Sequence, residues 1–237
     1  MSPALLVTLV LCAGALSGYV LHRAGQRANG AQWGRGWINR LDGLNRIFCR
    51  RWHRLQAEPL PLPASGPAVV VANHVSGLDP LLLVAASPRP LRFIIAREQY
   101  RRPLLRWFFH AIGTIPVDRK GRPERAFREA LRALEAGEVV ALFPQGTIHL
   151  DADPPRKLKP GAAKLARMAQ CAIYPARIDG VRGEGHVLPA LFLRGRARVS
   201  TAPTIACGEL TESECVERIA GAIAPGASRE VSGSSRR

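Results

Sequence analysis

Residues 3–21, PALLVTLVLCAGALSGYVL, carry no charged side chain. Wound as a helix the run is about 28 Å long, close to the hydrocarbon thickness of a bilayer. The chain is therefore constrained to hang whatever globular part it has behind an apolar segment. A cleaved signal peptide shares the apolar core but needs a basic stretch ahead of it, and only the amino terminus precedes this one, so an anchor is the reading favoured. Arg23, Arg27, Arg35, Arg40, Arg46, Arg50 and Arg51 come after the run, which by the positive-inside rule places the downstream chain on the cytoplasmic side.

Between residues 33 and 55, Trp33, Trp37, Ile38, Leu41, Leu44, Ile47, Phe48 and Trp52 recur at helical spacing with arginines between them. That pattern fits an amphipathic helix in a membrane interface, and equally a helix packed on a soluble core. Pro59, Pro61, Pro63, Ser65, Gly66 and Pro67 then break the periodicity and mark a linker. Beyond it short β-branched runs alternate with helical stretches. Strands are expected over 68–72, 91–96, 138–143 and 172–178, and a helix over 123–136 that stops at Gly137. The alternation argues for an α/β layer fold. The expected organisation is an anchor over 1–22, an amphipathic helix over 23–57, one domain over 58–224 and a polar, disordered tail over 225–237.

The 34 Lys+Arg against 18 Asp+Glu give +16, spread along the chain. Such a surface attracts nucleic acid, anionic lipid, phosphorylated substrates and acidic carriers alike. No helix-turn-helix, RNA-recognition or zinc signature accompanies it, and an uncharged anchor sits poorly with nucleic-acid binding. The five cysteines, Cys12, Cys49, Cys171, Cys207 and Cys215, show no C-x-x-C or His-containing spacing. Free thiols in a reducing compartment are expected, with no disulfide framework and no metal.

The stretch Asn73-His74-Val75-Ser76-Gly77-Leu78-Asp79-Pro80 follows an apolar strand directly and opens an apolar helix. Acyl transfer to a hydroxyl needs a base at the attacking oxygen, and an imidazole with an ordinary pKa near 6.5 suits neutral pH. The four residues between His74 and Asp79 can turn the carboxylate back onto the ring, fixing its tautomer and stabilising the imidazolium. The acceptor's own hydroxyl attacks, so no serine nucleophile is required. The competing reading makes Asp79 a helix N-cap before Pro80, with His74 satisfying a loop carbonyl.

Three further segments in order extend the pattern. Gly113-Thr114-Ile115-Pro116-Val117-Asp118-Arg119, Phe143-Pro144-Gln145-Gly146-Thr147 and Lys159-Pro160-Gly161-Ala162-Ala163, with Ala172-Ile173-Tyr174-Pro175 beyond them, together resemble the glycerolipid acyltransferase family from about residue 70 to 175. The resemblance implies a mixed sheet flanked by helices, with His74 and Asp79 catalytic. It implies that Arg119 contacts an acceptor phosphate, for which a planar guanidinium is suited, and that Gln145, Gly146, Thr147 and Lys159 bind substrate. Gln145 stands where the family has an acidic residue, and Ile148 and His149 stand where it has Arg and Ser. The missing arginine leaves the phosphate clamp to Arg119 with Lys157 and Lys159, or points to a different acceptor.

The implied activity is transfer of a fatty acyl group from acyl-CoA or acyl carrier protein to a lysophospholipid, foremost 1-acylglycerol-3-phosphate, at the cytoplasmic face of a bacterial inner membrane, without cofactor or metal. Another lysolipid acceptor, such as an amino-acid lipid, and a non-catalytic lipid-binding relative are the alternatives. His149 is a further candidate beside the third segment, while His22, His53, His110 and His186 are read as structural or surface residues.

Overall fold

The computed structural model describes residues 2–225 except 102, 120, 122 and 155. The side chain of residue 104 and all but the first residue of the tail expected over 225–237 lie outside the described residues. The strands β1 (Gln56–Ala57), β2 (Ala68–Ala72), β3 (Leu91–Ala96), β4 (Ile115–Val117), β5 (Val139–Leu142), β6 (Ile173–Asp179) and β7 (Arg198–Thr201) form one sheet in the order β1-β7-β6-β2-β5-β3-β4. All pairings are parallel except β6 with β7. The sheet is thus mixed, and helices cover both faces, as the resemblance implies.

The central strand β2 shows why. Its sequence AVVVA has no polar side chain to turn outward, and all five residues are buried, as a strand covered on both faces must be. Val70 points into a core shared with Leu78, Leu82 and Leu83 of the chain's first long crossover. Val69 and Val71 point into the other core, with Ala130 and Leu134 of α6 (Pro123–Glu135), Leu165 of α7 (Gly161–Met168) and Ile219 of α9 (Glu212–Ile223). Leu82 and Leu83, in α3 (Asp79–Ala86), are fully buried core residues.

Helix α1 spans Pro3–Ala28, seven residues beyond the uncharged run, and helix α2 spans Gly36–Arg51. The first is long and apolar enough to cross a membrane, and its apolar stretch is not buried inside the protein. The extra turns are explained by a crossing with α2 in which backbone meets backbone. A Cβ on Gly43 would lie 1.9 Å from the Gly25 carbonyl oxygen, and one on Gly25 would lie 2.7 Å from that of Arg40. Only glycine permits that approach.

On its inner side α2 is more polar than an apolar stripe suggests. Arg46 is buried and holds Asp42 at 2.7 Å, while donating to the carbonyls of Ala85 (2.9 Å) and Ser87 (2.6 Å) at the end of α3. This arginine ties α2 to the domain; it is not one of an interfacial set. Of the two roles that the sequence leaves to His53, structural or surface, the structure shows the structural one. His53 is 1% exposed, edge-on to Phe48 at 4.8 Å, and burial pushes its pKa below the usual histidine range.

The expectation of free thiols is overturned at one pair. Cys207 and Cys215 form a disulfide. The antiparallel bridge between Ile173 and Ile205 lays residue 207 beside the first turn of α9, a meeting made by tertiary structure that an eight-residue spacing alone does not announce. Cys12 is exposed and Cys49 buried, with the Cys49 thiol pushed up to about 12 by burial.

Candidate active site

Parallel strands deliver their carboxyl ends to one edge of the sheet, the edge at which open α/β sheets form clefts. Val71 of β2 pairs with Leu142 of β5 on one side and Pro175 of β6 on the other. The residues just beyond, His74 and Phe143 to Thr147, are therefore neighbours. Asn73 fastens β2 to β6 past the last strand pair: its Nδ2 donates to the Ile178 carbonyl (2.9 Å) and its Oδ1 accepts from the Ile178 amide (2.7 Å).

The turn after Asn73 closes on a single carboxylate. Asp79 is fully buried, and its Oδ2 lies 2.7 Å from His74 Nδ1 while accepting from the amides of Val75 (2.7 Å) and Ser76 (2.9 Å). Its Oδ1 accepts from the Ser76 hydroxyl at 2.6 Å. The alternative of a helix N-cap does not describe it. Leu78 occupies that position without a side-chain bond, and the carboxylate points back toward residues 74–76. A carboxylate at Nδ1 selects the tautomer whose Nε2 is unprotonated. The His74 side chain is 19% exposed, stacks on Phe143 at 4.2 Å, and makes no hydrogen bond through Nε2 to a described residue.

Gln145 has an unexpected partner. Its Oε1 accepts from the His74 amide at 2.8 Å, and the His74 carbonyl accepts from the His149 amide, also at 2.8 Å. The oxygen at position 145 thus holds the His74 backbone, a duty that does not require a charge. Exchange for glutamate, Gln145→Glu, is expected to change turnover by less than about threefold, because only one neutral amide donor is answered at this oxygen; steady-state kinetics of the purified variant measure it.

The basic residues gather around Gly146. Arg119 donates to its carbonyl at 2.5 Å, and Lys159 Nζ lies 2.8 Å from where a Cβ on residue 146 would stand. Lys157 is exposed and makes no comparable contact. Arg156, which the sequence reading passes over, donates instead to Thr147 Oγ1 at 2.7 Å. Arg119, Arg156 and Lys159 together supply cations on the rim where Ile148 cannot. The amide of Gly146, a residue that the resemblance implies to bind substrate, is spent within its own turn on the Phe143 carbonyl at 2.9 Å. His149 lies 3.6 Å from Asp153 through Nδ1 and contributes its backbone to the site. His22, His110 and His186 are exposed, and their imidazoles take no part.

On the opposite side of the turn, the loop after β6 is pinned to it. Gly185 donates to the Val75 carbonyl (2.8 Å), and Gly77 donates to that of His186 (3.1 Å). A Cβ on Gly77 would lie 2.4 Å from the Val187 carbonyl oxygen, so residue 77 has to be glycine for this loop to seat. Glu184 in that loop is pushed above the usual carboxylate range, first by partial burial and then by the carboxylates of Asp151, Asp179 and Asp79, with Arg177 opposing.

A family model described as Acyltransferase matches residues 54–179. An N-acylphosphatidylethanolamine synthase of Arabidopsis thaliana is 30% identical over 56% of this chain and 50% of its own. A 1-acyl-sn-glycerol-3-phosphate acyltransferase of Bacillus subtilis is 29% identical over 50% of this chain and 59% of its own. The chain spans about half the length of these relatives. Its fold is that of the crystal structure of the 1-acyl-sn-glycerophosphate acyltransferase of Thermotoga maritima, with a TM-score of 0.62 at 20% identity over 84% of this chain and 81% of that one.

Proposed function

The chain belongs to the Acyltransferase family, and from that premise we propose that it moves a fatty acyl group from the thioester of acyl-CoA or acyl carrier protein to the free hydroxyl of a lysophospholipid, most directly 1-acylglycerol-3-phosphate. The observation that carries this reading is the 2.7 Å contact between His74 Nδ1 and the buried Asp79 carboxylate at the strand-end edge. Nε2 takes the hydroxyl proton as the oxygen attacks the thioester carbon; the imidazolium that results is stabilised by Asp79 and returns its proton to the departing thiolate. Arg119, Arg156 and Lys159 give the acceptor's phosphate its counter-charges, while Gln145 holds the base in place. Residues 58–224 act as the catalytic unit behind α1 as a membrane anchor and α2 as an interfacial element. The arginines that follow α1 support an orientation with that unit on the cytoplasmic side, and a bacterial inner membrane is the membrane proposed.

A second acceptor class is favoured by one observation: Ile148 occupies the position at which the family's arginine stands. Full-length protein incubated with isotopically labelled acyl-CoA, or with labelled acyl carrier protein, and a panel of lysolipids is expected to yield labelled 1,2-diacylglycerol-3-phosphate by mass. Product only from lysolipids lacking a phosphomonoester would move the assignment to the second class, and no product from any acceptor would remove the enzymatic reading.

A further inference from the structure

A second group of basic residues lies beside the loop that follows β6 and is separate from the rim cations Arg119, Arg156 and Lys159. A cavity of about 470 Å³ is lined by Arg54, Gly180, Arg182, Arg194, Gly195 and Arg196, and includes none of the residues assigned above to acyl transfer. Gly180 and Arg196 close its floor backbone to backbone, the Arg196 amide donating to the Gly180 carbonyl at 3.3 Å. Among the described residues none of its four guanidiniums is paired with a carboxylate. Of the acids nearest in sequence, Asp179 is turned to Arg177 at 3.0 Å, and no ion pair joins Glu184 to Arg182 among the described residues. Four cations around one hollow repel one another, and a phosphate relieves that repulsion while matching the planar donors of arginine.

What flanks the hollow identifies the source of the phosphate. Arg194 sits over the Trp52 ring, 5.9 Å from its centroid, and the Trp52 indole donates to the Phe192 carbonyl at 3.1 Å. Phe192 is 73% exposed, and Trp52, Leu188 and Leu193 are exposed beside it. A water-soluble phosphate has no use for such a margin, whereas a bilayer lipid presents its charged headgroup and its acyl chains to one surface together. We propose that the Arg54–Arg182–Arg194–Arg196 cavity binds the headgroup phosphate of an anionic bilayer phospholipid, with Trp52, Phe192 and Leu193 lying against its chains.

The test uses full-length protein in neutral detergent, titrated with phosphatidylglycerol, phosphatidylcholine or coenzyme A, with binding read by native mass spectrometry. Phosphatidylglycerol is expected to bind about tenfold more tightly than phosphatidylcholine, and the pair Arg182→Gln, Arg196→Gln to erase most of that preference. The charge-matched pair Arg128→Gln, Arg132→Gln on α6, across the sheet, is expected to retain it. Equal losses from both pairs would show diffuse charge and overturn the site. So would an absence of preference in the parent chain, or arginine-dependent binding of coenzyme A tighter than that of phosphatidylglycerol. Should the first pair unfold by circular dichroism, Arg54→Gln, an exposed side chain, carries the test and is expected to weaken phosphatidylglycerol by about fivefold. None of these readouts depends on turnover, so the outcome is separate from that of the acyl-transfer assay.

Discussion

His74→Ala is expected to lower acyl transfer by about three orders of magnitude while leaving the protein folded. The two halves of that expectation come from different atoms of one residue. The chemistry belongs to the ring, which is partly exposed and bonded to Asp79 through Nδ1. The architecture belongs to the backbone, whose amide donates to Gln145 and whose carbonyl accepts from His149, and alanine keeps both. Removing the ring costs Asp79 one of its four donors and Phe143 its stacking partner, a loss of about 1–2 kcal/mol in stability. Single-turnover transfer of labelled acyl groups together with a thermal melt separates the effects. A variant that melts like the parent and still turns over at a tenth of its rate or better would exclude His74 as the base.

Asp79 behaves oppositely, since its carboxylate serves the turn as much as the ring. In Asp79→Asn the amide oxygen can take the Oδ2 position and keep the bonds from Val75 and Ser76, while Ser76 reverses its hydroxyl. The negative charge that steadies an imidazolium is gone. Turnover is expected to fall by about two to four orders of magnitude with the fold retained. Asp79→Ala instead strands the buried donors of Val75 and Ser76. At about 1–3 kcal/mol for each, against a total stability of about 5–15 kcal/mol, the alanine variant is expected to lose most of its fold. Urea denaturation beside activity distinguishes the pair: equal stability of the two variants would mean that the carboxylate does not hold the turn.

The strands at 68–72 and 91–96 were legible to the residue because β-branched runs between turn formers leave the backbone few alternatives. The His74–Asp79 meeting was legible as well, being local: five residues apart, it depends on one turn. What the sequence did not reveal depends on pairings between distant segments. Gln145 could be read as an oxygen acceptor, but its donor, the His74 amide, is named only once β2 lies beside β5. Arg156 sits in the run DADPPRKLK, which has no periodicity to orient it, and its reach to Thr147 is set by the loop's path. The Asn73 clasp on β6 bridges residues 73 and 178, and the Cys207–Cys215 link likewise waits on the strand bridge at Ile173. Short β7 and helix α9 had no sharp signal of their own, although the capping box at Thr211 and Glu214 was available to a closer search for S/T-x-x-E patterns.

The glycine crossing of α1 and α2 bears on where catalysis takes place. With the Gly43 backbone seated on that of Gly25, the joint has no side chain to slide or repack, so the first helix leaves the body at one angle. Under the proposed reading of α1 as a membrane anchor, a rod fixed in that way would work as a gauge: it would set the height of the imidazole above the lipid surface, and bulk introduced at either glycine would tilt the reaction away from its substrate without altering one reacting atom.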